Sequence, residues 1–146
     1  MRKHAPILLL LLLALSAVAD DRNLDQLKAE AERAGADQAK ACAEVAERLV
    51  SVADKLFNDG ESVKAQARVQ EILQYANRAR DLAIRNRKKM KETEIHLRRS
   101  RRALEDMRRT LAAEDRPPVE AVEKKLEQFG EDILEAMFAP PKKEQK

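Results

Sequence analysis

The stretch SVKAQARVQEILQYANRARDLAIRNRKKMKETEIHLRRSRRALEDMRRTLAA, residues 62–113, contains neither proline nor glycine. Within it, apolar or small side chains return at alternating steps of three and four residues, as at Ala65, Ile72, Leu97 and Leu104. That spacing keeps one edge of an α-helix apolar over many turns. The stretch therefore predicts a single helix of about 50 residues, roughly 75 Å long, with a coiled-coil-like seam.

Three positions of this seam are polar, namely Asn86, Thr93 and Ser100. A polar side chain buried without a partner costs roughly 1–3 kcal/mol. We therefore expect each of the three either to stay hydrated or to meet a polar partner.

The segments on both sides of residues 62–113 predict shorter helices, over about residues 22–34, 37–57 and 117–138. Gly60 suits the left-handed position after a helix, and Pro117 suits the first turn of one. Gly35 and Asp37 favour a break between the first two helices, although one helix could also run through. The chain is thus predicted to be all-α, either an elongated antiparallel helical hairpin or a three- to four-helix bundle built on the central helix.

Residues 49–72 resemble a tetratricopeptide-type helical hairpin. The small and apolar positions of that repeat match Ala53, Leu56, Gly60, Ala65 and Val69. The pattern does not recur along the chain, and the helix predicted after the turn is much longer than the repeat allows. The resemblance implies only that two helices pack antiparallel across Gly60.

The composition agrees with helices and disfavours a sheet. The chain has 146 residues, of which 38% are charged and 3% aromatic, and it has no tryptophan. Strands are enriched in aromatic and β-branched residues, whereas long helices are rich in Ala, Leu, Glu, Lys and Arg. We predict one helical domain over residues 20–139 and a disordered polar tail over residues 140–146.

The first 19 residues predict a secretory signal peptide. Arg2 and Lys3 precede an apolar run over residues 7–15, and cleavage is expected between Ala19 and Asp20. A retained membrane anchor is the alternative, but a spanning helix needs about 20 apolar residues. The protein is thus predicted to be exported, either periplasmic or secreted, and of bacterial origin, with no transmembrane span in the mature chain.

Charge is unevenly distributed along the chain. Residues 20–57 contain nine acidic and six basic residues, residues 117–139 contain six and two, and residues 85–116 contain six and twelve. The basic segment is either a solvated face paired with the acidic helices or a surface for an anionic partner. The candidate residues for that surface are Arg85, Arg87, Lys88, Lys89, Lys91, Arg98, Arg99, Arg101 and Arg102. No aromatic residue is interleaved with them to stack bases, so nucleic acid is not expected as a partner.

The sequence shows no set of residues that indicates catalysis, a metal site or a cofactor. Cys42 lies on an apolar stripe and is interpreted as a small buried hydrophobe, with an intermolecular disulfide as the alternative. His96 lies among arginines, which disfavours a metal ion, and no nucleophile and base are suitably spaced. We therefore predict no enzymatic activity.

These patterns favour a non-enzymatic exported protein that binds another macromolecule or has a structural role in the cell envelope. Two alternatives are a periplasmic chaperone or stress protein, and a peripheral binder of anionic envelope lipid or polymer. A thin helical rod buries little apolar area, so a homodimer or another protein partner is also expected.

Overall fold

The computed structural model describes residues 23–140, and every regular element in this range is helical. The five α-helices are α1 (residues 23–33), α2 (Gln38–Asn58), α3 (Ser62–Asn86), α4 (Met90–Thr110) and α5 (Arg116–Phe138). Short 3-10 turns, Gly35–Asp37 and Ala113–Asp115, precede α2 and α5. The all-α prediction is confirmed. The predicted signal peptide with its cleavage between Ala19 and Asp20, and the tail from residue 141 onward, lie outside the described residues.

The prediction of one unbroken helix over residues 62–113 is wrong. α3 ends at Asn86 and α4 begins at Met90. Between them, Arg87 and Lys89 have φ angles of 52° and 54°, in the left-handed region. A helix through residues 85–91 would place five cations at spacings of three and four residues, where like charges repel by roughly 0.2–0.5 kcal/mol per pair. The turn relieves this repulsion and lets the chain fold back on itself.

Ion pairs define the direction in which α4 runs. The Lys89 ammonium lies 3.8 Å from the Asp37 carboxylate at the start of α2. Seven residues after Lys89, His96 Nε2 lies 3.5 Å from Oε1 of Glu44, which is itself seven residues after Asp37. α4 is therefore parallel to α2, and it runs opposite to α3, which follows α2 through a tight turn.

Contacts at its two ends fix the position of α5. Ser62 Oγ donates to Asp115 Oδ2 at 3.1 Å, which places the start of α5 beside the start of α3. Arg87 Nη1 donates to the carbonyl of Ala136 at 3.1 Å, which places the end of α5 beside the end of α3. α5 packs on both α3 and α4, and α2 also packs on both. Four helices thus surround one core.

α1 lies alongside α3 and runs in the same direction. Lys28 Nζ is 2.7 Å from Glu71 Oε2, and one turn further on Glu32 pairs with Arg78. Gly35, with φ of 55°, ends this segment, and α2 then returns in the opposite direction. The α1–α2 turn, the α3–α4 turn and the C-terminus of α5 therefore lie at the same end of the molecule.

The turn between α2 and α3 is a Schellman motif. Glu61 N donates to the carbonyl of Leu56 at 2.9 Å, and Gly60 N donates to that of Phe57 at 3.0 Å. Gly60 has φ of 76°, where a side chain would be strained. α2 and α3 pack antiparallel across this turn, as the resemblance to a helical hairpin implies.

The core contains many alanines and two buried hydroxyls. Ala43, Ala46, Ala76 and Ala79 are all 0% exposed, which lets the backbones of α2 and α3 approach closely. The polar seam residues behave in two ways. Thr93 and Ser100 are also 0% exposed, and their hydroxyls donate to the carbonyls four residues earlier, at 2.6 and 2.9 Å. Asn86 instead lies exposed at the break.

Candidate functional site

Four of the predicted site residues lie at the α3–α4 turn, three of them between the two helices and Arg85 in the last turn of α3. We call this set the basic turn, and it comprises Arg85, Arg87, Lys88 and Lys89, all exposed. Arg87 also donates to the carbonyls of Ala136 and Ala139 at the C-terminus of α5, at 3.1 and 3.4 Å. The last turn of α5 contains no basic residue of its own. Arg87 therefore supplies the cation that favourably caps the negative end of that helix dipole.

Four further predicted site residues lie on α4, on the face that points away from the core. We call this set the α4 stripe, and it comprises Lys91, Arg98, Arg99 and Arg102, all exposed. The opposite face of the same helix carries Leu97 and Leu104, both 0% exposed. From Lys91 to Arg102 the stripe extends about 16 Å along the helix. Arg101, the ninth predicted residue, is half-buried and pairs with Glu105 at 3.4 Å.

The cations of these two sets differ in whether they have a partner. Three have partners: Arg98 is 3.7 Å from Glu94 on its own helix, Lys89 is 3.8 Å from Asp37, and Arg87 donates to the end of α5. The remaining five make no hydrogen bond or ion pair with any residue between 23 and 140; they are Arg85, Lys88, Lys91, Arg99 and Arg102. Pairing with the acidic helices therefore does not account for these five.

Pairing across helices does occur at other positions of α4. Arg108 Nε donates to Glu123 Oε2 of α5 at 2.7 Å, and this hydrogen bond raises the pKa of the Arg108 guanidinium. His96 is held between two glutamates of α2, with Nδ1 2.6 Å from Glu47 Oε2 and Nε2 3.5 Å from Glu44 Oε1. The sequence alone indicates no role for His96, because nothing local shows that α4 folds back onto α2.

The acidic residues that hold α1 against α3 have perturbed pKa values. The hydrogen bond from Arg78 lowers the pKa of Glu32. Burial alone would raise the pKa of Glu71, but hydrogen bonds and charge from Lys28 and Arg68 outweigh it, and the net shift is downward. The ion pairs that position α1 therefore also favour the charged form of both carboxylates.

A groove of about 730 Å³ lies between α2 and α3. Its wall carries charges of both signs, and two pairs of them are in contact: Arg68 is 2.7 Å from Glu71, and Lys64 is 3.5 Å from Glu61. Such a wall favours no single sign of ligand charge. The groove differs in this respect from the α4 stripe, whose exposed charges are all positive.

Cys42 is 0% exposed, and burial raises the pKa of its thiol. A buried thiol cannot reach a second chain, so the structure favours the small-hydrophobe interpretation over the intermolecular disulfide. Between residues 23 and 140, no three His, Cys, Asp or Glu side chains are grouped so that they could hold a metal ion. In the same range no helix has the length and hydropathy needed to cross a bilayer.

The backbone of the basic turn makes a testable prediction. A left-handed conformation costs a non-glycine residue about 1–2 kcal/mol. Glycine avoids this cost, but it loses more conformational entropy on folding, and that loss offsets about half of the gain. Lys89→Gly should therefore raise the free energy of unfolding by about 0.5–1 kcal/mol, measured by urea denaturation. Lys88, whose φ is not positive, is the matched control, and Lys88→Gly should not stabilise the protein. Lower stability of Lys89→Gly than of Lys89→Ala, which loses the same ion pair with Asp37, would contradict a left-handed backbone at this position.

Comparison of this chain with protein-family models, with curated proteins and with solved structures finds no match.

Proposed function

We propose that this protein is an exported, non-enzymatic binding protein that holds an anionic macromolecule on the α4 stripe and the basic turn. The observation that carries the proposal is the set of five exposed cations without a partner between residues 23 and 140, namely Arg85, Lys88, Lys91, Arg99 and Arg102. Export rests on the predicted signal peptide. The proposal of no enzymatic activity rests on the lack of a suitably spaced nucleophile and base in the sequence.

The charge distribution supports recognition by a local patch and not by the overall charge. The whole chain has a formal net charge of +3, and removal of Arg2 and Lys3 with the signal peptide leaves 27 basic and 26 acidic residues. A nearly neutral protein attracts polyanions only where cations are concentrated. Counterions released from the polyanion then favour binding, so the affinity should fall steeply as salt is added.

The arrangement of side chains also indicates what kind of contact is made. Arg99 and Arg102 are one turn apart on the exposed face of α4, and Lys91 lies on the same face three turns earlier. Guanidinium groups bind phosphate and carboxylate oxygens through two parallel hydrogen bonds. A row of such groups fits an extended anion better than a single small one.

The test uses inorganic polyphosphate as the probe and residues 20–146 as the protein, since all described helices lie in this range. The triple variant Lys91→Gln, Arg99→Gln, Arg102→Gln should bind at least about tenfold more weakly, because each lost charge-assisted hydrogen bond is worth about 1.5–3 kcal/mol. Binding is measured by calorimetry at several salt concentrations.

The matched control removes three exposed lysines from other surfaces, in the variant Lys64→Gln, Lys124→Gln, Lys125→Gln. Its change in net charge is the same, and its affinity should stay close to that of the unsubstituted protein. Equal losses in the two variants would show that only total charge matters, and the proposal would then be abandoned. Binding that does not respond to salt would lead to the same conclusion.

A further inference from the structure

Apolar side chains lie exposed beside the basic turn. Phe138 at the end of α5 is 85% exposed, and Leu134, one turn earlier on the same helix, is 40% exposed. The hydrogen bonds from Arg87 to the carbonyls of Ala136 and Ala139 fix the basic turn next to this end of α5. Phe138 and Leu134 thus form a small exposed apolar surface next to the cations of the basic turn.

The backbone of the basic turn provides a second, independent observation. Arg87 and Lys89 both occupy left-handed positions, with φ of 52° and 54°, where glycine would be less strained. Gly35 and Gly60 fill the comparable positions in two other turns of the same chain. Between residues 23 and 140, the basic turn is the only turn that has long cationic side chains at positions with positive φ. Strain of this kind is concentrated at functional sites.

We propose that this end of the molecule docks on the surface of a bilayer that contains anionic phospholipids. This inference deepens the proposed function, on which it rests, by naming the anionic partner. Phe138 enters the interfacial layer, and Arg85 and Lys88, which have no partner in the described chain, contact headgroup phosphates. A soluble polyanion or an acidic protein would use the cations but offers no apolar layer for Phe138.

Insertion of Phe138 and contact of the cations with headgroup phosphates are each weak alone, but together they can hold the protein on a bilayer. One apolar anchor gives only marginal membrane binding, and stable attachment needs a second signal such as a cluster of cations. Two acidic residues in the terminal segments 35–38 and 134–139 oppose docking, namely Asp37 and Glu135, whereas the basic turn carries four cations. Asp37 is already paired with Lys89 at 3.8 Å, and Glu135 is exposed on α5.

The test is co-sedimentation of residues 20–146 with vesicles. The shorter chain is used because the apolar run at residues 7–15 would bind vesicles by itself, and every described helix lies within residues 23–140. Vesicles of phosphatidylcholine with phosphatidylglycerol should bind the protein, whereas vesicles of phosphatidylcholine alone should not. Phe138→Ser should lower the apparent affinity about tenfold, as expected for the loss of one aromatic anchor, and leave polyphosphate binding unchanged.

Val63→Ser is the matched control, because Val63 is 86% exposed at the opposite end of the molecule. Its vesicle binding should equal that of the unsubstituted chain. Equal effects of the two serine variants would overturn the docking proposal, as would loss of binding in Arg85→Gln, Lys88→Gln but not in Phe138→Ser. Binding to polyphosphate without binding to vesicles would refute the docking proposal and remain consistent with the proposed function. Binding to neither probe would refute both.

Discussion

Leu97→Ala is expected to lower the free energy of unfolding by about 3 kcal/mol. Leu97 is 0% exposed on the core face of α4. Truncation removes buried methyl groups and leaves a cavity, and buried leucines changed to alanine typically cost about 2–5 kcal/mol. α4 contacts both α2 and α5, so the cavity would lie where the fold depends on packing between helices.

The measurement is urea denaturation followed by circular dichroism at neutral pH. Leu134→Ala is the control, since it removes the same atoms from a side chain that is 40% exposed. It should cost less than about 1 kcal/mol, because little apolar area returns to water. If Leu97→Ala proved as mild as the control, α4 would not be packed as described.

Ala76→Leu is expected to destabilise the protein by about 1–3 kcal/mol, although it adds apolar surface. Ala76 is 0% exposed in the middle of α3, and the facing helix α2 presents buried small residues such as Ala43 and Ala46. A leucine at this position must push the two helices apart or adopt a strained rotamer. The effect is thus opposite in sign to the usual stabilisation by a larger apolar residue.

Ala67→Leu makes the same change at an exposed position of α3. Alanine and leucine both have high helix propensity, so this control should change the unfolding free energy by less than about 0.5 kcal/mol. The two variants are compared by the same denaturation experiment. A stabilising effect of Ala76→Leu would show that the α2–α3 interface contains unfilled space.

Some turns of this fold could be predicted because their cause is local. Gly60 follows an apolar stripe that stops at Phe57, and glycine is the residue that tolerates the left-handed position closing a helix. Pro117 similarly marks the first turn of α5. In each case the residue that makes the turn also signals it.

The break at the basic turn has a cause that is mostly non-local. No proline or glycine lies between Ser62 and Ala113, and the apolar spacing continues through residues 87–89. Folding back is favoured because it buries α4 against α2 and α5, which a local pattern does not show. The only local signals of the break are the run of cations at residues 85–91 and the poor helix former Asn86, and both are weaker than the apolar repeat.

The sequence predicts which residues form the candidate site, but it does not predict which residues of the same chain they contact. Exposure of the basic turn and the α4 stripe follows from charge and helix periodicity. The pairing of His96 with Glu44 and Glu47, and of Arg87 with the end of α5, depends on how α4 and α5 return. Because α4 folds back, the apolar seam is buried within one chain. The small buried area of a thin rod, which was the reason to predict a homodimer, therefore no longer applies. The oligomeric state stays a prediction.

The central claim is that the chain reverses direction between α3 and α4, and one distance tests it. Spin labels are attached in Lys64→Cys, Arg109→Cys with Cys42→Ala, at two exposed positions near the same end of the molecule. Pulsed electron resonance should give a separation below about 30 Å, because helix axes in such a core lie about 8–10 Å apart. A continuous helix would instead separate the labels by about 68 Å, and that result would contradict the account.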